Sequence, residues 1–381
     1  MPPKKIRVLH VITGLGVGGA ENALLRLLQS MDASRFSNEV VSLSTEGPIA
    51  VQIKALGIPV HSLHLSKTQA LVIGWRRLKD LIGSDRFDVV QSWMYHADLL
   101  SLLATKFSSG LPVVWNIRHS DLSWRANRKG TLAIAQICAW LSANGPEEIV
   151  VCAEAAKASH KAIGYDATKM SVIPNGIDSN KFSPHPELRI RKRLELGIAE
   201  HASLVGLVAR YHPQKDHATF IEMASILCRE HPETRFALIG EGCDESNVEL
   251  ATLLLRFGVA SRFHLLGARS DVIELFSAMD LHVLSSRGEG FPNVLAEAMS
   301  CELPCISTRA GDAAFILGDE SLCAEVGDAR ELARLASGIL HLSLPDRHRL
   351  GARLRERVRS QFGLEAMRDA YQALYGRLLR Q

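Results

Sequence analysis

The sequence predicts an α/β protein of two successive doubly wound domains, each a parallel sheet with helices on both faces. Three observations predict it. Short apolar runs alternate with stretches of helical spacing, the first run ends in a glycine-rich turn, and the same rhythm restarts after a proline-rich segment. A length of 381 residues suits two or three domains at ~150 residues each.

Ile6 to Thr13 (IRVLHVIT) reads as a strand buried on both faces, ending in Gly14-Leu-Gly-Val-Gly-Gly19. Ala20–Leu28 then places apolar residues at helical spacing and Asn38–Ser44 resumes strand character, so the opening is a βαβ unit. Val60–Leu65, Val89–Trp93, Val113–Ile117, Ile149–Cys152 and Ser171–Ile173 are further strands. Pro174 to Pro186 concentrates turn formers and is the best linker. Beyond it come strands Leu204–Ala209, Arg235–Ile239, Phe263–Leu266, Leu281–Ser285 and Pro304–Ser307, separated by helices Thr219–Glu230, Asn247–Phe257, Val272–Ala278 and Val294–Ser300. Asp271 followed by Glu274 has the spacing of a capping box. Ligands of such sheets bind beyond the carboxyl ends of the strands.

Composition narrows the function. Hydrophobic residues make up 47% and charged ones 22%, a balance that excludes a disordered or fibrous chain. A net charge of +3 does not suit wholesale wrapping of nucleic acid, and no nucleic-acid partner is expected. The charge is uneven: residues 1–185 hold 20 Lys and Arg against 14 Asp and Glu, and residues 186–381 hold 24 against 27. The 7 cysteines form neither a disulfide framework nor a zinc pattern and read as reduced thiols of a cytosolic protein. The basic start Met1-Pro-Pro-Lys-Lys5 resembles that of a signal peptide, but Arg7 and His10 break the apolar stretch behind it. No uninterrupted apolar run is long enough to span a membrane.

Three motifs carry chemistry. The turn Gly14–Gly19 lets a phosphate approach backbone N–H groups and the positive end of a helix dipole, although a tight turn without a ligand needs glycine too. Arg210-Tyr-His-Pro-Gln-Lys215 follows the first strand of the second domain, where two cations can grip a diphosphate; a solvated charge pair is the alternative. Glu289-Gly-Phe-Pro-Asn-Val-Leu-Ala-Glu297 holds two carboxylates around a helix start. Pro292 suits the first helical turn, leaving Glu289 on the loop and Glu297 inside the helix. N–H groups near Asn293 and Val294 then offer donors to phosphate oxygens.

With Gly18-Gly-Ala-Glu21, Ile173-Pro-Asn-Gly-Ile-Asp178, Arg210 with Lys215, and Glu289 spaced from Glu297, the sequence resembles the family 4 glycosyltransferases of the GT-B fold. The resemblance implies two Rossmann-like domains facing across a cleft, an acceptor-binding one over 1–180 and a nucleotide-sugar-binding one over 181–360, with a helix in 361–381 crossing back to the first. It implies retention of anomeric configuration and a nucleoside-diphosphate sugar as donor, with no cofactor. By position, Arg210 and Lys215 would hold the diphosphate, Glu297 the ribose and Glu289 the transferred sugar, with Gly290, Phe291, Pro292, Asn293 and Val294 lining the donor. Gly18 and Gly19 would close over the phosphates, and His119 matches the histidine beside the donor sugar. His119 read without the family is a hydrogen-bonded strand end.

Breaking the bond between sugar and diphosphate builds negative charge on the leaving group, which a fixed Arg, Lys and helix N-terminus can stabilise without a metal. No D-x-D pair occurs in the chain, so metal independence is the expectation. His96, in Trp93-Met-Tyr-His-Ala-Asp98, can line the acceptor side, and Asp98 can act as a base or cap the following helix. Gly311-Asp312 and Arg287 depart from the family pattern.

The basic excess of the first half suits a negatively charged acceptor or an anionic membrane surface. Trp75-Arg-Arg-Leu-Lys79 and Trp124-Arg-Ala-Asn-Arg-Lys129 mix aromatics with cations as an interfacial patch would, and as solvated helix faces also would. The sequence thus reads as a cytoplasmic glycosyltransferase, with peripheral contact at the inner face of the membrane left open, acting on a glycan or lipid-linked acceptor in bacterial polysaccharide assembly. Its rivals are a nucleotide-sugar epimerase of the same fold, a dinucleotide-dependent oxidoreductase built on Gly14–Gly19 with Glu46 as a late ribose ligand, and a two-lobed sugar-binding protein.

Overall fold

A computed structural model of the chain describes residues 5–65, 72–84, 86–120, 122 and 128–380. Most of the Trp124–Lys129 patch therefore lies outside the described residues. The chain divides into two units, one of Met1–Gly176 with Leu364–Gln381 and one of Ile177–Gly363.

The first unit is built on seven parallel strands: β1 (Ile6–Ile12), β2 (Phe36–Ser42), β3 (Val60–Ser62), β4 (Val89–Trp93), β5 (Val113–Ile117), β6 (Glu148–Val151) and β7 (Met170–Val172). They run in the order β3-β2-β1-β4-β5-β6-β7. The order reverses between β1 and β4, whose register pairs Ile12 with Trp93, so the crevice of this sheet opens where the Gly14–Gly19 turn and the Met94–His96 segment leave it. β4 and β5 are buried along their whole length, with Gln91, Ser92 and Asn116 as buried polar residues among the apolar ones. Strand β3 ends at Ser62, but its pairing runs on, as Leu63 N donates to Ser42 O at 2.9 Å and Leu65 N to Leu43 O at 3.0 Å.

The helix Leu364–Leu378 from the chain's end packs against the helix Gly19–Ser30 in this unit. Two buried tyrosines stitch it to the sheet. Tyr371 accepts hydrogen bonds from Asn116 Nδ2 at 2.8 Å and from the Arg118 guanidinium, and the Tyr375 hydroxyl donates to Gln91 Oε1 at 2.5 Å. Both rings join the core around Val8, Ile12, Leu24 and Val40. Tyr371→Ala is expected to destabilise this unit by about 3–5 kcal/mol, and Tyr371→Phe by about 1–2 kcal/mol, because the first removes a buried ring and the second only an acceptor. Urea unfolding measures both; midpoints equal to wild type would contradict the packing described.

The second unit holds six parallel strands: β8 (Leu204–Val208), β9 (Arg235–Ile239), β10 (Phe263–Gly267), β11 (Leu281–Leu284), β12 (Cys305–Thr308) and β13 (Cys323–Ala324). Their order is β10-β9-β8-β11-β12-β13, reversing between β8 and β11. The boundary between the units, Gly176 to Ile177, falls within the Pro174–Pro186 segment, where Ile177 is buried and its N–H donates to Phe362 O at 2.8 Å. The Asp271–Glu274 capping box does not form. Asp271 makes no side-chain bond to its helix, because Arg269 at 2.6 Å and Lys192 at 2.7 Å claim its carboxylate, while Arg191 and Lys192 claim Glu274.

Candidate active site

In the second unit the site grows from the exits of β8 and β11, the pair of strands flanking the reversal. After β8 the chain turns through Arg210 and Tyr211 into a single 3-10 turn, Pro213–Lys215. Proline's fixed φ starts that turn, and His212 Nδ1 accepts the Gln214 N–H at 3.2 Å. Asp216 then adopts a left-handed conformation (φ 49°) and caps the helix His217–Glu230 by accepting the Thr219 N–H at 3.4 Å, and it also accepts the Thr219 hydroxyl at 2.7 Å. The turn is tied from the neighbouring strand exit as well: Tyr211 N donates to Glu241 O at 2.7 Å. The Tyr211 ring lies 5.0 Å from that of His217, a buried imidazole that desolvation lowers to about 4 and so keeps neutral.

After β11 the chain runs through Ser285 and Ser286 to Glu289, and the helix Asn293–Ser300 begins one residue beyond Pro292, which serves as its N-cap residue. Glu289 thus lies on the loop and Glu297 in the helix interior, half-buried, on the positions the sequence assigns them. Lys215 Nζ reaches Glu289 Oε1 at 2.6 Å, and Ser286 Oγ donates to the same oxygen at 2.6 Å. The side chains are only 19% and 9% exposed, so the attraction works with little solvent screening. An ammonium has three donors, and the bond to Glu289 uses one of them. Arg210 is exposed at the head of the same turn, and Arg287 pairs with Asp216 at 2.8 Å, bracing the two strand exits against each other. Phe291 is buried against Phe362, with ring centroids 5.6 Å apart, which anchors Gly290 and Pro292 on either side. Asn293 Oδ1 is buried with no hydrogen-bond partner among the described residues, at a helix N-terminus whose first N–H groups have no intrahelical acceptor.

The structure gives places to residues that the sequence reading left without a role. Gly311 (φ +57°) presses its backbone on Glu289: a Cβ there would overlap the Glu289 carbonyl. Next to it, Asp312 N donates to Gly290 O at 3.1 Å. The departure at Gly311-Asp312 is therefore a clamp on the glutamate loop. Gly240 (φ +148°) likewise leaves no room for a Cβ against Ala209 O and the Arg210 backbone. The signal for it was present, as Gly240-Glu-Gly242 directly follows a strand run. For Ser286 no signal existed.

In the first unit, Gly18 is the N-cap residue of the helix Gly19–Ser30 and makes no side-chain cap bond. The Glu21 carboxylate folds back to where a Gly18 Cβ would stand, and Gly18 itself is extended (φ −160°). His119 is half-buried just beyond β5, next to Arg118, whose guanidinium donates to Asn116 Oδ1 and Asn175 Oδ1 at 2.8 Å each. His96 is half-buried at the exit of β4, and burial lowers its pKa.

Asp98 departs from both roles the sequence left open. The helix Tyr95–Lys106 begins on Met94 with no side-chain cap bond, so Asp98 is no cap. Its carboxylate is fully buried and accepts the Ser92 hydroxyl at 2.6 Å, facing the sheet rather than a ligand. Desolvation holds its carboxyl up at about 7, against the opposing pull of the Ser92 and Asn116 bonds. The folded state therefore keeps this proton up to about pH 7, while the unfolded chain loses it near the ordinary 3.8, so stability drains as pH rises between the two. Asp98→Asn is expected to gain on wild type by about 3 kcal/mol between pH 5 and pH 8. Urea midpoints at the two pH values test it; a difference that does not change with pH would contradict it.

Among the described residues no group of three or more His, Cys, Asp or Glu is placed to hold a metal ion.

A family model described as Glycosyltransferase Family 4 matches residues 17–181, and one described as Glycosyl transferases group 1 matches residues 202–341. A Bacillus subtilis protein named putative glycosyltransferase EpsF is 28% identical over 314 residues, which span 79% of this chain and 78% of that protein. An Escherichia coli protein named UDP-Gal:alpha-D-GlcNAc-diphosphoundecaprenol alpha-1,3-galactosyltransferase is 25% identical over 311 residues, 79% of each chain. Among solved structures, Anabaena HepE in complex with UDP-glucose aligns with a TM-score of 0.80 at 21% identity, covering 97% of this chain and 99% of that one. A glycosyltransferase from Rickettsia africae aligns with a TM-score of 0.84 at 16% identity over the full length of both.

Proposed function

The chain belongs to glycosyltransferase family 4 and has the GT-B fold, and from that premise we propose that it moves a sugar, with retention and without a metal ion, from a nucleoside-diphosphate donor to a glycan or lipid-linked acceptor in polysaccharide assembly. The observation that carries the reading is the Lys215–Glu289 bond across the strand reversal of the second unit, beside a helix N-terminus. In an α/β sheet that is where a diphosphate binds.

In this reading Arg210 and Lys215 take the diphosphate, Glu289 the transferred sugar and Glu297 the ribose. The N–H groups of Asn293 and Val294 face the phosphate oxygens, between Gly290 to Pro292 and the helix. In the first unit, Gly18 and Gly19 lie beyond the carboxyl end of β1 and His119 beyond that of β5, where ligands of such sheets bind, and His96 serves the acceptor. As the bond from the anomeric carbon to the diphosphate oxygen breaks, charge grows on the leaving phosphate, and the two cations and the helix dipole hold it. The acceptor oxygen bonds to the anomeric carbon on the same face, and its proton passes to the departing phosphate oxygen, giving a nucleoside diphosphate and the glycoside. No protein base is needed. The E. coli relative, by its name, acts on a diphosphoundecaprenol-linked sugar, which supports a lipid-linked acceptor.

A thermal-shift screen against UDP, GDP, ADP and their sugars tests the donor class, since a ligand that binds only the native state raises its apparent stability. One base series is expected to raise the midpoint, and hydrolysis or transfer of the matching sugar nucleotide is expected to persist in excess EDTA. Activity abolished by EDTA and restored by a divalent cation would overturn the metal-independent part alone.

A further inference from the structure

The first residue beyond β11 is Ser285, a fully buried serine that the sugar-transfer reading leaves without a role. Its hydroxyl lies 3.0 Å from Lys215 O and 3.1 Å from Asp216 O. A hydroxyl carries one hydrogen, so the two carbonyls share it. Those carbonyls stand where the 3-10 turn Pro213–Lys215 ends and the helix His217–Glu230 begins.

The bond meets a point of strain. Asp216 is left-handed at φ 49° and ψ 56°, a conformation that a residue with a side chain keeps only where its surroundings hold it. The β11 exit does the holding. Arg287 N donates to Gln214 O at 2.8 Å, so Gln214, Lys215 and Asp216 all give their carbonyls to that exit. The Arg287 side chain is 61% exposed, which weakens its pair with Asp216 through solvent screening. Ser285 is shielded from water and its bond is not screened. Lys215 is therefore fixed to one strand exit at two points, by its carbonyl to Ser285 and by its ammonium to Glu289.

We infer that Ser285 is a positioning residue for sugar transfer: it anchors the Lys215 carbonyl so that the ammonium stands fixed where charge grows on the leaving phosphate. The inference rests on the assignment of Lys215 to the donor diphosphate. A fixed cation stabilises developing charge without reorganising at the moment of reaction. A lysine that has lost its backbone anchor still reaches a bound diphosphate on its flexible stem, so the ground state changes little. The transition state meets a cation that has yet to be placed.

A mutant cycle tests it, with kcat and donor KM measured on the UDP-, GDP- or ADP-sugar that wild type turns over. Ser285→Ala is expected to lower kcat about tenfold and to leave KM within about threefold, the pattern of an interaction realised in the transition state. In the Lys215→Ala background the same change is expected to lower kcat by less than about twofold, since Ser285 acts through Lys215. Ser285→Thr and Ser285→Val have nearly the same volume and differ in the hydroxyl. The threonine variant is expected to be about tenfold faster, which separates the bond from packing. Urea midpoints check that every variant is folded. A wild-type kcat in Ser285→Ala, an equal loss in both backgrounds, or equal rates for the threonine and valine variants overturns the inference. Lys215→Ala with wild-type kcat would instead remove the donor reading, and this inference with it.

Discussion

Replacing Lys215 by alanine is expected to lower kcat by about two to three orders of magnitude, the loss seen when one fixed donor to developing negative charge is removed. The same change strands Glu289, whose side chain is only 9% exposed, beside a cavity where its cation was, at a cost of about 3 kcal/mol. The two effects separate in a double variant. Lys215→Ala with Glu289→Gln removes the uncompensated charge, so the thermal midpoint should recover most of its loss. Activity should not, because neither the cation for the phosphate nor the carboxylate for the sugar returns. A double variant that regains kcat along with stability would reduce the pair to a structural bond.

Gly311→Ala is the second large effect. At φ +57° an alanine is strained, and its Cβ would strike the Glu289 carbonyl, which is backbone and cannot swing aside. Together these are expected to cost about 2–3 kcal/mol of stability. A shift of Glu289 by about 1 Å is expected to lower kcat about 100-fold, since reacting groups tolerate little misplacement. Gly327 is the control. It too is left-handed, at φ +82°, but has open space around its Cβ position, so Gly327→Ala should lose stability alone. Equal kcat in the two alanine variants would contradict the clamp.

Much of this architecture can be read from the sequence because buried parallel strands such as Leu204–Val208 are continuous apolar runs set by local burial. Placing Arg210 and Lys215 after one run and Glu289 after another needs only the rule that ligands gather at the carboxyl ends of strands. What local pattern cannot carry is long-range partnership. Asp271 and Glu274 have capping-box spacing, yet Lys192 and the arginines near them win their carboxylates, which no window of adjacent residues encodes. Asp98 turns inward because Ser92 waits on the preceding strand. The hydroxyls of Tyr371 and Tyr375 find Asn116 and Gln91 across more than 250 residues of chain. Gly311 was visible as a glycine, but its use became clear only once the Glu289 carbonyl stood against it.

The central claim is that a nucleoside diphosphate binds where β8 and β11 part, held by fixed cations. Calorimetric titration of UDP, GDP and ADP in EDTA, into wild type and into the chain carrying Arg210→Ala and Lys215→Ala, tests it most directly. The account predicts that one nucleotide binds wild type and that the doubly substituted chain, still folded, loses about 100-fold or more of that affinity, as two charge-assisted contacts would give. Equal affinity in the two proteins, or no binding of any of the three to wild type, would contradict it.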